Sequence, residues 1–387
     1  ETIKRIVQNL EMRIVKEDDL GLDLMVPPYR VDVKRPCDVV EDILRIYGYN
    51  NVEIPTTLKS SLTIAGDADK EFRRENQVSE QLVGAGFNEI LNNSLTKQAY
   101  YDEDLYNCYP WARTVKVMNP LSSDLGVMRQ TLLFGGLESI VRNVNRKARN
   151  LRFFEVGNVY HFDEERYTTE SPIKAYQQRY HLALWVTGHR VEGNWAHPDE
   201  ESSFFELKAY VENVLRRVGL QAGQVVTEAS DNNIFDKGLR MKTRGGKVLV
   251  DMGIVNHHVL RRFDIEQPVY YAEIDWTELM KATRKNSLLF QELSKYPAVS
   301  RDLALLVDAN VEFAQIEQIA RQTEKKLLKQ VVLFDVYQGK NLPEGKKSYA
   351  VNFILQDESR TLTDKAIDAI MQKLMKNLTT KLHAELR

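Results

Sequence analysis

Four carboxylates crowd the stretch YRVDVKRPCDVVEDILRIYGYN, residues 29–50: Asp32, then Asp38, Glu41 and Asp42 six, nine and ten residues further on. Carboxylate oxygens are the ligands that a hard cation such as Mg²⁺ takes, with waters filling the remaining positions. Like charges at i, i+3 and i+4 cost a helix about 0.2–0.5 kcal/mol per pair, so something must offset the placement. Two readings supply an offset. In one, Asp38 caps a helix, Glu41 and Asp42 favour its macrodipole, and Glu41 pairs with Arg45. In the other, Asp32 comes back from the end of an extended segment and joins the three helix carboxylates around one Mg²⁺ ion.

The elements that would position these groups follow from periodicity. MVPPYRVDV reads as extended and runs into a helix that Pro36 can open. Val39, Val40, Ile43, Leu44, Ile46 and Tyr47 form its apolar stripe, which leaves Asp38, Glu41, Asp42 and Arg45 on the solvent side, and Gly48 stands where a terminating glycine would. IKRIVQNLEMRIV reads as a helix before it, and IPTTLKSSLTIAGDADK as a connector after it. Further on, FRRENQVSEQLVGAG, LLFGGLESIVRNVNRK and FFELKAYVENVLRRVGL read as helices. FNEIL, TVKVMN, LRFFEVGNVYHF, HLALWVTGH, KVLVDMGIV and PVYYAEIDW read as strands. Numerous strands with hairpin-length gaps and helices to one side predict an antiparallel sheet of the α+β class. The last hundred residues predict βαββαβ, from RDLALLV through two helices and the strands QVVLFDVYQ and KSYAVNFILQ to a short strand at AELR. Ile316, Ile319, Ala320, Thr323 and Leu327 on the first helix, and Ile367, Ile370, Met371, Leu374 and Leu378 on the second, are the positions expected to face the sheet.

At 387 residues the chain is long enough for two to four domains, and 43% hydrophobic with 28% charged residues is ordinary globular composition. A net charge of −2 excludes a wholly electrostatic nucleic-acid binder, so any such contact needs a local patch. Cys37 and Cys108 form neither a disulfide framework nor a zinc pattern, which makes a reducing, cytoplasmic compartment the expectation. No apolar run approaches a membrane span. The start at Glu1, without an initiator Met, leads us to expect a piece of a longer protein.

Three runs carry a family resemblance: VPPYRVDVKRPCDVVEDILRIYGYNNV, VMNPLSSDLGVMRQTLLFGGLESIVRNVNRKARNLRFFEVGNVY and LSKYPAVSRDLALLVD. In content and order the chain resembles the bacterial phenylalanyl-tRNA synthetase beta subunit. The resemblance implies a small B5 α/β module at 1–56, a catalytic-like antiparallel sheet domain of class II synthetase fold at 57–284, and a ferredoxin-fold anticodon-binding domain at 290–387. It implies that the family's N-terminal tRNA-binding and editing domains are missing here. It implies a non-catalytic chain that joins an alpha subunit in an α₂β₂ tetramer, where ATP, phenylalanine and tRNA(Phe) meet in the alpha chain. The sheet edge and helices of the catalytic-like domain are expected to present a large apolar patch to that partner. It also implies Mg²⁺ on Asp32, Asp38, Glu41 and Asp42, shared with the alpha subunit, and favours that reading of the acidic cluster; Asp42 stands where Glu is usual, one methylene short. Another departure is Gly253, Ile254, Val255, Asn256 and His257 in place of a Gly-Glu-x-His-Pro turn.

Other residues invite a role. Arg152 with Glu155, and Arg261 with Arg262, are the nearest candidates for class II catalytic arginines, yet neither lies in the expected glycine setting, and a surface ion pair is the plainer reading. His257 and His258, being adjacent, should point to different sides, and His189, Trp195 and His197 lack an acidic partner at ligand spacing. Residues 290–387 carry a net charge of +2, with Lys325, Lys326, Lys329, Lys340, Lys346, Lys347 and Arg360 in or beside loops. Lys340, Lys346, Lys347 and Arg360 are the expected tRNA phosphate contacts, and Arg301 is expected to be structural. Tyr349, Val351 and Phe353 on the third strand of this domain suit the core better than base stacking. An alternative to the ligase subunit is a stand-alone nucleic-acid-binding protein built of B5-like and ferredoxin-like modules; another is an active class II ligase.

Overall fold

The computed structural model describes residues 1–57, 66–101, 106–286, 290, 292–340 and 342–386. It divides into two compact units, residues 1–218 with 223–280, and residues 219–222 with 281–387.

The chain opens with α1 (Thr2–Asn9), a hairpin of β1 (Arg13–Asp18) and β2 (Gly21–Met25), and α2 (Pro36–Tyr47). The helix expected over IKRIVQNLEMRIV therefore ends early. Glu11 turns the backbone to φ 61°, and the β-branched residues beyond it enter a hairpin in which Arg13 pairs with Met25 and Asp18 with Gly21. Residues 27–33 are likewise not extended. They form successive turns, closed by Arg30 N–H to Pro27 O and Val33 N–H to Arg30 O. The core here is small: Val7, Met12 and Val33 are buried, with Leu10, Ile14, Leu24, Val26, Val39 and Ile43 packed on them. Only part of the α2 stripe is used, and Val40, Ile46 and Tyr47 remain exposed.

The middle region runs through α3 (Asp67–Gly84), β3 (Asn88–Glu89), the short pair β4 (Leu95–Thr96) and β5 (Val127–Met128), and α4 (Leu133–Val144). There follow β6 (Leu151–Phe162), β7 (Tyr176–Thr187), the short pair β8 (His189–Val191) and β9 (Glu200–Glu201), and α5 (Phe204–Arg217). It closes with β10 (Val225–Ala229), β11 (Phe235–Thr243), β12 (Val248–Val255), α6 (His257–Arg261), β13 (Val269–Asp275) and α7 (Trp276–Thr283). Among the described residues, seven strands form one sheet in the order β10-β11-β12-β13-β7-β6-β3. It is antiparallel apart from the β3–β6 pair, as the α+β reading expected. TVKVMN is not a full strand; Lys116 makes an isolated bridge to Val127, whose own strand β5 is only two residues long. β10 and β11 escaped the sequence reading because charged residues interrupt their alternation. The core joins α4 to the sheet through Phe134, Leu137, Ile140, Phe153, Trp185 and Tyr271.

The second unit contains β14 (Val299–Asp308), α8 (Phe313–Thr323), β15 (Leu328–Tyr337), β16 (Lys346–Leu355), α9 (Asp364–Leu382) and β17 (Glu385–Leu386). Its sheet order β15-β16-β14-β17, all antiparallel, is the split βαββαβ arrangement. Ile316, Ile319, Ala320, Ile367, Leu374 and Leu378 are buried from the helices against Leu305, Val307, Tyr349, Val351 and Phe353. Of the stretches read as connector and final strand, residues 58–65 and Arg387 lie outside the described residues.

Candidate functional site

Arg35 takes the N-cap position of α2, and its side chain caps none of the helix N–H groups. Asp38, one turn in, supplies the acceptor instead: its carboxylate receives the N–H groups of Lys34 and Arg35 at 2.9 and 2.8 Å and the Arg35 guanidinium at 3.1 Å. Those bonds, the Lys34 amide foremost, hold the Asp38 carboxyl down at about 2. Arg30, on the turn before the helix, donates from Nη2 to Asp32 at 2.9 Å and to Asp42 at 2.6 Å, and from Nε to Asp32 at 3.2 Å. These bonds lower the Asp32 pKa and raise that of Arg30. Asp42 is thus not on the solvent side; its side chain is 13% exposed, and Arg45 approaches its other oxygen at 3.9 Å. Glu41 is exposed. Among the described residues no three His, Cys, Asp or Glu side chains come together closely enough to hold a metal ion.

The middle sheet carries a buried polar strip between its strands and α4. Arg129 and Glu155, both almost wholly buried, form an ion pair at 2.6 Å. Asn92 donates to Glu155 at 2.6 Å, and Arg129 also reaches the carbonyls of Asn158 and Asn92. Next to it Glu273 accepts from Thr131 at 2.6 Å and Tyr271 at 2.7 Å, and lies 2.8 Å from His181 Nδ1. Burial pushes the Glu273 carboxyl up, but the bonds from His181, Thr131 and Tyr271 outweigh it and leave the pKa below the usual value. Burial, with Arg113, His181 and Arg179 nearby, pushes the His161 imidazole down to about 4. The remaining space is closed by Trp185, fully buried, whose ring would stand 2.1 Å from a Cβ on Gly136 of α4.

Arg152 pairs with Glu206 at 3.1 Å and not with Glu155, while Arg262 donates to the Ala99 carbonyl at 2.9 Å. Arg129 is the sheet's buried arginine, and sequence reasoning passed it over; a lone cation in the apolar setting VMRQTLL was the available signal. An open groove of about 570 Å³ beside α4 is lined by Lys97, Arg142 and Arg262 and by Asp124, Glu138 and Asp264, among others. His257 and His258 do not diverge: their ring centroids lie 3.8 Å apart. Asn256 caps α6 by accepting from His258 N–H, which gives the departing turn its local role. Asp199, not foreseen, reaches His189 at 3.2 Å, and Trp195 is 99% exposed. Both cysteines are free, and burial pushes the Cys108 thiol up to about 12.

In the βαββαβ unit the four expected phosphate contacts fall into different settings. Lys346 is tied to Asp308 at 3.1 Å and Glu385 at 3.8 Å. Lys347 is 8% exposed, its ammonium 4.8 Å from the Tyr349 ring centroid. Arg360 is exposed and touches Asp357 at 3.2 Å, and Lys340 is exposed between β15 and β16. Arg301 lies 3.7 Å from Asp364, an ion pair within the domain. Tyr349, Val351, Phe353 and Leu355 point to the helices, so the opposite face of β16 carries Ala350, Asn352 and Ile354, with Ser348 buried at its start.

Comparison with known proteins places these parts. Residues 1–49 match the tRNA synthetase B5 domain and residues 294–387 the ferredoxin-fold anticodon-binding domain, which defines a component of the aminoacyl-tRNA synthetases. Residues 54–276 match the CLM domain of the phenylalanyl-tRNA synthetase beta chain, and the chain belongs to that family. It is 60% identical over its full length to the phenylalanine–tRNA ligase beta subunit of Bacteroides fragilis and to that of Bacteroides thetaiotaomicron. Identity to the Porphyromonas gingivalis beta subunit is 49%. In each case it covers 47% of the relative, so the chain spans about half the length of the curated relatives it matches. A solved pyrrolysyl-tRNA synthetase from Desulfitobacterium hafniense overlaps 56% of this chain and 70% of its own at 13% identity, with a TM-score of 0.42. Among the described residues no helix is long and apolar enough to cross a membrane.

Proposed function

We propose that this chain is the assembly and tRNA-binding half of the beta subunit of a cytoplasmic phenylalanine–tRNA ligase. It is inactive alone and works with an alpha subunit, in an α₂β₂ complex that uses ATP to join phenylalanine to tRNA(Phe). Its three modules follow the spans 1–56, 57–284 and 290–387. The observation that carries this reading is the pairing of a beta-chain family match with a sheet face closed by Trp185, Arg129–Glu155 and the Glu273 network. On that face the buried arginine is already committed to Glu155 and the Glu273 carboxylate to Thr131, Tyr271 and His181, which supports a packing role for the fold over a catalytic one.

The magnesium ion on Asp32, Asp38, Glu41 and Asp42 belongs to this reading only on condition that Arg30 leaves Asp32 and Asp42. As placed, the four carboxylates do not offer one ion a common site. For tRNA, Lys340 and Arg360 are the contacts the geometry favours, with Lys346 beside them. Lys347 contributes through packing under Tyr349.

The test is co-expression with the alpha subunit of the same genome. The two chains should co-purify as one peak, and pyrophosphate exchange should appear only when both are present. Separate peaks at micromolar concentration, or exchange by this chain alone, would sink the proposal.

A further inference from the structure

We infer that the guanidinium of Arg30 is the cation of the acidic cluster: it occupies the place a divalent ion would take and locks the 27–33 turn onto α2. Three observations converge on it. The first is geometric. Arg30 meets Asp32 with two nitrogens and Asp42 with one, at 2.6–3.2 Å, so one planar fork bridges the turn and the helix. The second is charge. Asp32, Asp38 and Asp42 face Arg30, Arg35 and Arg45, so of the four carboxylates Glu41, exposed beside the cluster, is the one without an arginine among these pairs, and little net negative charge is left there to attract an ion. Magnesium needs oxygens at about 2.1 Å in near-octahedral order. It can take Asp32 and Asp42 only by evicting Arg30, and a nearby guanidinium repels it. The third is packing. α2 has no buried residue, and the local core holds three, so apolar burial leaves much of the helix's anchoring to polar ties. Arg30 is the tie that spans from the turn to the helix, 21% exposed and thus partly shielded from water.

Metal and arginine are therefore competitors, and removing one should create a requirement for the other. The test uses the full chain and does not rest on the ligase reading, because its readout is hydrogen exchange over residues 29–47, with and without chelator. In the native protein, exchange there should be the same in chelator and in millimolar magnesium. In Arg30→Met, which keeps the stem and loses the charge, exchange in chelator should be faster by roughly tenfold. Millimolar magnesium should restore most of the protection in that variant, while sodium chloride of equal ionic strength should not. Adding Asp42→Asn to the variant should abolish the rescue. Magnesium-dependent protection in the native chain would overturn the inference, as would an Arg30→Met variant that exchanges like the native protein or ignores magnesium. Should Arg30→Met not fold, Arg30→Lys carries the test: it keeps one charge without the fork, so exchange must lie between native and unprotected and slow on adding magnesium, and a metal-blind result there overturns it.

Discussion

At the residue scale the middle domain is decided by a few close fits. Gly136 is inside a helix, where Ala would be intrinsically better by about 1 kcal/mol. Its Cβ would, however, meet three atoms of the Trp185 indole at 2.1–2.5 Å, and Trp185 has no solvent side to move into. Overpacking of this kind costs about 1–3 kcal/mol, so Gly136→Ala should lower stability despite the helical gain, and chemical denaturation will show it as a shift in midpoint. A midpoint unchanged or raised would mean the indole has room. His161 sets a second expectation. Its folded pKa of about 4 lies below the unfolded value near 6.5, so above pH 6.5 neither state takes a proton there and the group is neutral to stability. Between 6.5 and 4 only the unfolded chain binds the proton, and stability falls as pH falls, by at most about 3 kcal/mol. Below 4 this loss is complete. His161→Gln should flatten that part of the pH–stability curve; an unaltered slope would assign it to other groups. Neither residue could have been picked from sequence, because Gly136 and Trp185 are brought together by tertiary packing and His161 differs from its neighbours only in what covers it.

At the scale of elements, periodicity carried furthest where one face alone is covered. α8 and α9 show their buried stripes plainly, and the strands β6, β7, β12 and β13 were legible from alternation and length. The same rule held a further message in β16. Lys347 shares parity with Tyr349, Val351 and Phe353, so alternation alone puts it on the covered side, as the structure has it. The acidic cluster was legible as a set of residues but not as an arrangement. Asp38 and its helix were readable, whereas the turns over 27–33 that aim Arg30 at Asp42 depend on the hairpin packed before them. For tRNA, the exposed loop cations matter more than the strand. Reversing Lys340 and Arg360 to Glu in the complete enzyme should raise KM for tRNA, and each lost phosphate contact should lower the log–log salt slope by about 0.7–0.9. Amino-acid activation without tRNA should stay as it was. An equal loss in both assays would point to damaged assembly and remove these two residues from the tRNA face.

At the scale of the molecule, six of the seven strands described in the large sheet form two local ribbons that meet at a distant seam, with the short β3 added in parallel beside β6. β6 with β7 is a single long hairpin, and β10 through β13 follow one another as a meander. Between them, β7 and β13 pair over seven positions from Val269↔Thr187 to Asp275↔His181, and among the described residues that ladder binds the two ribbons edge to edge. Each ribbon can form from neighbouring segments, but the seam must close a long loop that contains α5, and its entropy is lost before its hydrogen bonds are gained. The topology predicts that hairpin and meander form before the seam and that the Glu273–His181 bond, whose partners come from opposite ribbons, is made only on closure, so pulse-labelling hydrogen exchange should protect β6 and β12 before the β7–β13 ladder. Until then β7 and β13 each present an open edge with an apolar face, the kind of strand that pairs with the wrong chain. During synthesis, the interval between the emergence of β7 and the arrival of β13 is therefore one in which such an edge stands open to wrong partners.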